Sequence, residues 1–261
     1  MASHPPRKCC TLGTLHDRGE PRGKLIKVGE RQIEAYLAMA PESEGHKHVG
    51  LLLIPDVFGI SLNSKLLADM FADEGFTTLI PDFFNGDVLP NPRPAGLDIK
   101  AWIKTGSSGD NPHTPETVDP IVVAGLEALK GLGIKEIGGL GYCFGAKYVV
   151  RHYNNGIKVG FVAHPSFVEE DELAAINGPL AIAAAQTDPI FPPEKRRISE
   201  EILIKTKQPY QINIYSGVEH GFAIRGNPKV KLQRYAREQA FKQAVHWFEE
   251  FLVQGPVEAN K

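Results

Sequence analysis

Glu136-Ile137-Gly138-Gly139-Leu140-Gly141-Tyr142-Cys143-Phe144-Gly145-Ala146-Lys147-Tyr148 is the stretch that decides the fold. Residues 136–141 read as a buried strand and 144–153 as a helix, so the chain turns from one to the other within three residues. Glycine stands two places before and two places after Cys143, the Gly-x-Cys-x-Gly spacing of a nucleophile elbow. The turn is sharp and strains the central residue, and its neighbours must be nearly bare for strand and helix to close over it. The start of the following helix then aims free N–H groups at the thiol, which favours thiolate and, later, an oxyanion. No Gly-x-Ser-x-Gly occurs in the chain, so cysteine stands where serine would.

Outward from this elbow the pattern is strand–helix alternation. Strands are expected at 49–55, 76–81, 158–163, 179–185 and 210–215, and helices at 117–129, 169–176, 193–206 and 233–253. A further helix face is carried by Leu62, Leu66, Leu67, Met70 and Phe71. Gly29-Glu30 between 24–28 and 31–39 signals a hairpin. Runs such as Val49-Gly50-Leu51-Leu52-Leu53-Ile54 are apolar at every position, the mark of strands covered on both faces. The fold class is therefore α/β: a mostly parallel sheet with helices on both faces. Residues 1–22 read as an irregular arm and 23–261 as a single domain. The Pro- and Gly-rich segment 82–109 reads as a long excursion over the sheet, with a short helix near 98–104.

In such sheets ligands bind at the carboxyl ends of the strands. Asp56-Val57-Phe58-Gly59 follows the first buried strand, and His164-Pro165-Ser166 follows 158–163. Gln186-Thr187-Asp188-Pro189 follows 179–185, and Ser216-Gly217-Val218-Glu219-His220-Gly221 follows the last strand. Nucleophile, acid and histidine thus come in the order Cys143, Asp188, His220, one per later loop. Asp188 could instead be a helix cap before Pro192-Pro193, and Asp56 could cap the helix near Ser61 or face Cys143 and tune its ionisation. His164 and Ser166 are pocket lining or simple turn residues. Arg225 is either a bidentate holder of a substrate carboxylate or a solvated arginine.

Composition narrows the partners. With 29 Lys plus Arg against 31 Asp plus Glu, the net charge of −2 gives no field for gripping nucleic acid or an anionic membrane. The longest apolar run is too short to span a bilayer. Three cysteines, two of them adjacent at Cys9 and Cys10, make neither a disulfide framework nor a metal site. The amino terminus lacks the apolar core of a secretory signal, so a cytoplasmic address is expected. No metal or cofactor is expected, and the chain is expected to be a monomer or homodimer. Gly139-x-Gly141-x-x-x-Gly145 is a loose form of a dinucleotide fingerprint, but the next strand ends in Ala163-His164-Pro165 and supplies no acid for a ribose hydroxyl.

Three motifs carry a resemblance: Gly141-Tyr142-Cys143-Phe144-Gly145-Ala146-Lys147, Gln186-Thr187-Asp188-Pro189-Ile190-Phe191-Pro192 and Gly217-Val218-Glu219-His220-Gly221-Phe222-Ala223. They resemble the dienelactone hydrolase family of α/β-hydrolases. Lys8-Cys9-Cys10 and Ala163-His164-Pro165-Ser166-Phe167-Val168 resemble its fungal branch. The resemblance implies an α/β-hydrolase fold and a Cys143–His220–Asp188 triad cleaving a small ester or lactone through a thioester. It implies an oxyanion hole from the Val57 and Phe144 N–H groups, and an acid at position 56 hydrogen-bonded to the resting thiol. The bacterial enzymes carry Glu where this chain has Asp56, and a second substrate-holding arginine for which Phe83-Phe84-Asn85-Gly86-Asp87 has no counterpart. The alternative reading is a non-hydrolytic member of the fold, such as a binding protein or an isomerase or cyclase of secondary metabolism.

Overall fold

The computed structural model describes residues 19–43, 45–90 and 95–255. Most of the expected arm, with Cys9 and Cys10, lies outside the described residues; residues 19–22 carry no regular structure before the first strand.

Among the described residues eight strands form one sheet: β1 (Lys24–Val28), β2 (Ile33–Ala38), β3 (Val49–Ile54), β4 (Thr77–Pro81), β5 (Glu136–Tyr142), β6 (Ile157–Ala163), β7 (Leu180–Thr187) and β8 (Tyr210–Glu219). Their order is β1-β2-β4-β3-β5-β6-β7-β8. The β1–β2 hairpin and the β2–β4 pair are antiparallel, and every pair from β4 to β8 is parallel. The helices are α1 (Leu62–Asp73), α2 (Ile99–Thr105), α3 (Pro115–Gly131), α4 (Gly145–Arg151), α5 (Glu170–Ala174), α6 (Pro193–Thr206), α7 (Phe222–Arg225) and α8 (Lys231–Phe248).

The two-residue period of a strand explains why the runs are apolar throughout. In β3, Leu52 and Ile54 face a core layer with α3 residues such as Leu126 and α4 residues such as Val149. Leu51 and Leu53 face the opposite layer with Phe71 of α1 and Phe248 of α8. All six β3 residues are buried, and each of its Leu and Ile side chains contributes about 1.5–3 kcal/mol.

Several boundaries differ from the sequence expectation. The expected helix 144–153 is shorter, because α4 ends at Arg151 and a 3-10 turn follows at Tyr153–Asn155. α8 likewise stops at Phe248 and gives way to a π turn over Glu249–Val253. β8 runs on to Glu219, past the expected end at 215, and delivers the chain directly to His220. The excursion does contain a short helix, α2, capped by Asp98, whose Oδ1 accepts the N–H of Lys100 and Ala101 at 2.8 and 3.3 Å. It is also tied down: Asp87 accepts the Ser107 N–H at 2.8 Å and lies 2.9 Å from Nε2 of His113, while the Phe84 ring packs on Trp102 and His113.

Candidate active site

β5, Cys143 and α4 form the sharp turn that the glycine spacing implied. Cys143 sits at φ 53°, in the left-handed region, a conformation that costs a residue with a Cβ about 1–2 kcal/mol. A Cβ on Gly141 would stand 2.8 Å from the Ala146 Cα, and one on Gly145 would run into the Ile54 carbonyl. The two glycines are therefore what lets α4 rest on β5 and β3. Gly139 packs in the same way, its missing Cβ facing Ile157 and Val149, which is a packing role and not a phosphate cradle. The strain at Cys143 is held by β6 and its loop: the Cys143 N–H donates to the Ala163 carbonyl at 3.1 Å, and the Ser166 N–H donates to the Cys143 carbonyl at 3.0 Å.

The loops after β7 and β8 bring an acid and an imidazole together. Asp188 Oδ2 lies 2.9 Å from His220 Nδ1, and both side chains are fully buried. The other oxygen, Oδ1, accepts the N–H groups of Ile190 and Phe191 at 2.8 and 3.1 Å. Burial alone would raise the Asp188 carboxyl, but the His220 charge, its hydrogen bond and those two N–H groups hold it below its ordinary value. Burial likewise pushes the His220 imidazole down. The Cys143 sulfur and the Asp188 carboxylate overcome this and hold it well above its ordinary value. The His220 imidazole thus has the Asp188 carboxylate bonded at Nδ1, and both that carboxylate and the Cys143 sulfur favour its protonated form.

Asp56 follows β3. It does not cap α1; that role belongs to Ser61, whose hydroxyl accepts the Ser64 N–H at 3.3 Å. Its Oδ1 accepts the Phe58 N–H at 3.1 Å, and its Oδ2 is ion-paired to Arg225 Nη1. Burial raises the Asp56 carboxyl above its ordinary value, Arg225 partly offsets this, and the Cys143 sulfur raises it further. Asp56 and the Cys143 sulfur are thus within electrostatic reach of each other, and a hydrogen bond to the sulfur comes from Ser166 Oγ at 3.0 Å.

Arg225 is not the solvated side chain that one reading allowed. It lies on α7, is 5% exposed, and its guanidinium stands 5.0 Å from the centroid of the Phe58 ring. Any substrate carboxylate reaching it competes with Asp56. His164, also buried, meets the His220 ring edge-on with centroids 5.0 Å apart. Burial first, then the charges of His220 and Arg225, keep its imidazole well below the ordinary value, so it is neutral. His164 thus stands against the His220 ring and Ser166 against the Cys143 sulfur. Val57 and Phe144 are buried beside Asp56 and Cys143 in sequence, and among the described residues neither backbone N–H has a hydrogen-bond partner.

An excursion of the 82–109 kind often forms a pocket wall, but sequence reasoning did not single out the aromatic residues that line the elbow. Phe144 packs on Phe84 and Tyr148 with centroids 4.9 Å apart in each case, and Phe84 continues to Trp102. The only signal was the presence of aromatic residues inside an otherwise Pro- and Gly-rich excursion. Among the described residues no cluster of three or more His, Cys, Asp or Glu could hold a metal. No helix among them is long and apolar enough to cross a membrane.

Comparison with known proteins agrees with this architecture. The profile of the Dienelactone hydrolase family matches residues 33–252. The chain is 46% identical over 255 residues to "Hydrolase pyvD" of Aspergillus violaceofuscus, covering 97% of this chain and 99% of that one. It is 46% identical over 258 residues to "Hydrolase tropI" of Talaromyces stipitatus, with the same coverage of both chains. Among solved structures, a dienelactone hydrolase-like promiscuous phosphotriesterase from metagenomic libraries superposes with a TM-score of 0.69 at 16% identity, over 90% of this chain and 100% of that one.

Proposed function

The chain belongs to the dienelactone hydrolase family, and on that premise we propose that it hydrolyses a small ester or lactone through Cys143, His220 and Asp188, by way of a thioester. The observation that carries this reading is geometric: a buried His220 imidazole bonded to Asp188 at 2.9 Å, beside a Cys143 held in the left-handed turn of the elbow, with the Cys143 sulfur favouring the protonated imidazole. Two groups that share a proton in this way make a nucleophile ready without a separate deprotonation.

The steps follow from that pair. The Cys143 thiolate attacks the carbonyl carbon. The carbonyl oxygen gathers charge toward the Val57 and Phe144 N–H groups, each worth about 3 kcal/mol to the transition state. His220 gives its proton to the departing alkoxide, and the C–O bond breaks to leave an acyl thioester on Cys143. His220, now neutral, takes a proton from water as the water attacks the thioester; the tetrahedral intermediate expels the thiolate and releases the acid. An amide suits this chemistry poorly, because the thiolate leaves more readily than an amine and the intermediate falls back to substrate. Esters and lactones suit it. The substrate is a small molecule in this reading, with no nucleic acid or membrane partner.

The test compares wild type with Cys143→Ala and Cys143→Ser on p-nitrophenyl acetate and small lactones. The expected result is loss of nearly all turnover in both variants, with an acyl adduct on the Cys143 peptide of the wild type by mass spectrometry. Undiminished turnover in Cys143→Ala overturns the mechanism.

A further inference from the structure

The loop that follows β6 is strained twice in four residues. His164 lies at φ 39° and Phe167 at φ 62°, and neither is glycine. Such conformations persist only where the surroundings over-determine them, and they gather at functional sites. Each has a visible result. The turn at His164 lays its ring edge-on against His220, and the turn at Phe167 lays its ring edge-on against Phe144, the neighbour of Cys143. The Phe167 carbonyl also accepts Lys147 Nζ of α4 at 3.2 Å, which ties the far end of the loop to the helix that follows the elbow.

Between these two anchors stands Ser166, fully buried. A serine in simple turn chemistry bonds its own or a neighbouring backbone. The Ser166 hydroxyl instead reaches across 23 positions to the Cys143 sulfur at 3.0 Å. Its backbone N–H bonds the Cys143 carbonyl, so hydroxyl and sulfur ride on two segments that are hydrogen-bonded to each other. The charged and titratable groups around the sulfur explain what a neutral donor does here. His220 favours a charged sulfur, and Asp188 stands behind His220. Asp56 opposes it as a like charge, with Arg225 paired to Asp56 from α7. His164 is neutral and adds no charge.

We propose that Ser166 is a positioning residue of the reaction: its hydroxyl donates to the Cys143 sulfur, fixes the rotamer that faces His220, and supports the charged sulfur against the carboxylate of Asp56. The inference deepens the assignment of Cys143 as nucleophile and rests on it.

The experiment measures kcat/KM for p-nitrophenyl acetate against pH in wild type, Cys143→Ala, Ser166→Ala and Ser166→Thr. Loss of a hydroxyl bond to a charged acceptor destabilises the thiolate relative to the thiol. The acid limb of Ser166→Ala is expected to move up by about one pH unit, which is about tenfold slower turnover on that limb, with the alkaline plateau regained. Ser166→Thr, which keeps the hydroxyl, is expected to retain the wild-type limb. An unmoved limb in Ser166→Ala, or a rate lowered equally at every pH, overturns the proposal while leaving Cys143 as nucleophile. Turnover unchanged in Cys143→Ala overturns both. Should Ser166→Ala fail to fold, Ser166→Cys, a weaker donor of similar size, is read on the same limb with the same two outcomes.

Discussion

Asp56 and Arg225 stand 169 positions apart and form an ion pair in which both side chains are almost fully buried. One comes from the loop after β3 and the other from the short helix after His220, so the pair joins the two sides of the elbow. A buried pair of this kind is costly to break from one side only, because the remaining charge has no solvent to turn to. Arg225→Met and Asp56→Asn are each expected to destabilise the protein by about 3–5 kcal/mol. The double variant is expected to lose clearly less than the sum. Urea unfolding of all four proteins checks this, and additive losses contradict it.

Asp188 Oδ2 lies 2.9 Å from His220 Nδ1, and in the proposed mechanism it holds the tautomer that the neutral imidazole needs when water attacks the thioester. Asp188→Asn keeps the shape, yet its amide can present an N–H to the imidazole and favour the wrong tautomer. The expected loss in kcat is on the order of 10³–10⁴, with little change in KM. Steady-state kinetics on the best ester found decides it; a loss below tenfold argues against the role.

His164 supplies a pH dependence of stability with a definite sign. Its imidazole is held well below its ordinary value in the folded chain, first by burial and then by the charges of His220 and Arg225. Below about pH 6.5 the unfolded chain binds a proton there that the folded chain does not. Its share of stability is therefore complete above pH 6.5 and is lost as the pH falls below that, by about 1.4 kcal/mol per unit. His164→Phe is expected to flatten the stability curve between pH 6.5 and 5 by about that slope. Parallel curves for the two proteins in denaturant unfolding contradict this.

Gly145 tests the elbow itself. A Cβ at that position meets the backbone carbonyl of Ile54, which cannot swing aside as a flexible side chain would. Gly145→Ala is expected to destabilise by at least about 2 kcal/mol, or to prevent folding outright. Gly131→Ala, where nothing lies within 4 Å of the added carbon, is expected to be neutral or slightly stabilising. Thermal unfolding of the two variants side by side makes the comparison.

Much of this protein is local in the chain and could be read there. The apolar run of β3 announces a strand covered on both faces, because alternate side chains point to opposite sides and all of them must be buried. The glycines flanking Cys143 announce a tight strand-to-helix turn, because only residues without a Cβ let the two backbones touch. The positions of Asp188 and His220 just beyond strands announce a shared rim, because parallel strands all end on the same side. Element ends were less legible. Nothing in 216–219 distinguishes strand from loop until pairing with β7 carries β8 as far as Glu219.

What only the tertiary structure decided is which of those rim residues touch. The sequence left Arg225 open between surface and site, and packing of α7 against the β3 loop put it on Asp56. It left His164 and Ser166 open between turn and pocket; the adjacency of β5 and β6 in the sheet put Ser166 against the Cys143 sulfur, and the path of the loop after β8 put the His220 ring against His164. A periodic pattern reports how each segment faces solvent or core; contacts between segments 23 or 169 positions apart depend on strand order and loop path, which no local pattern encodes.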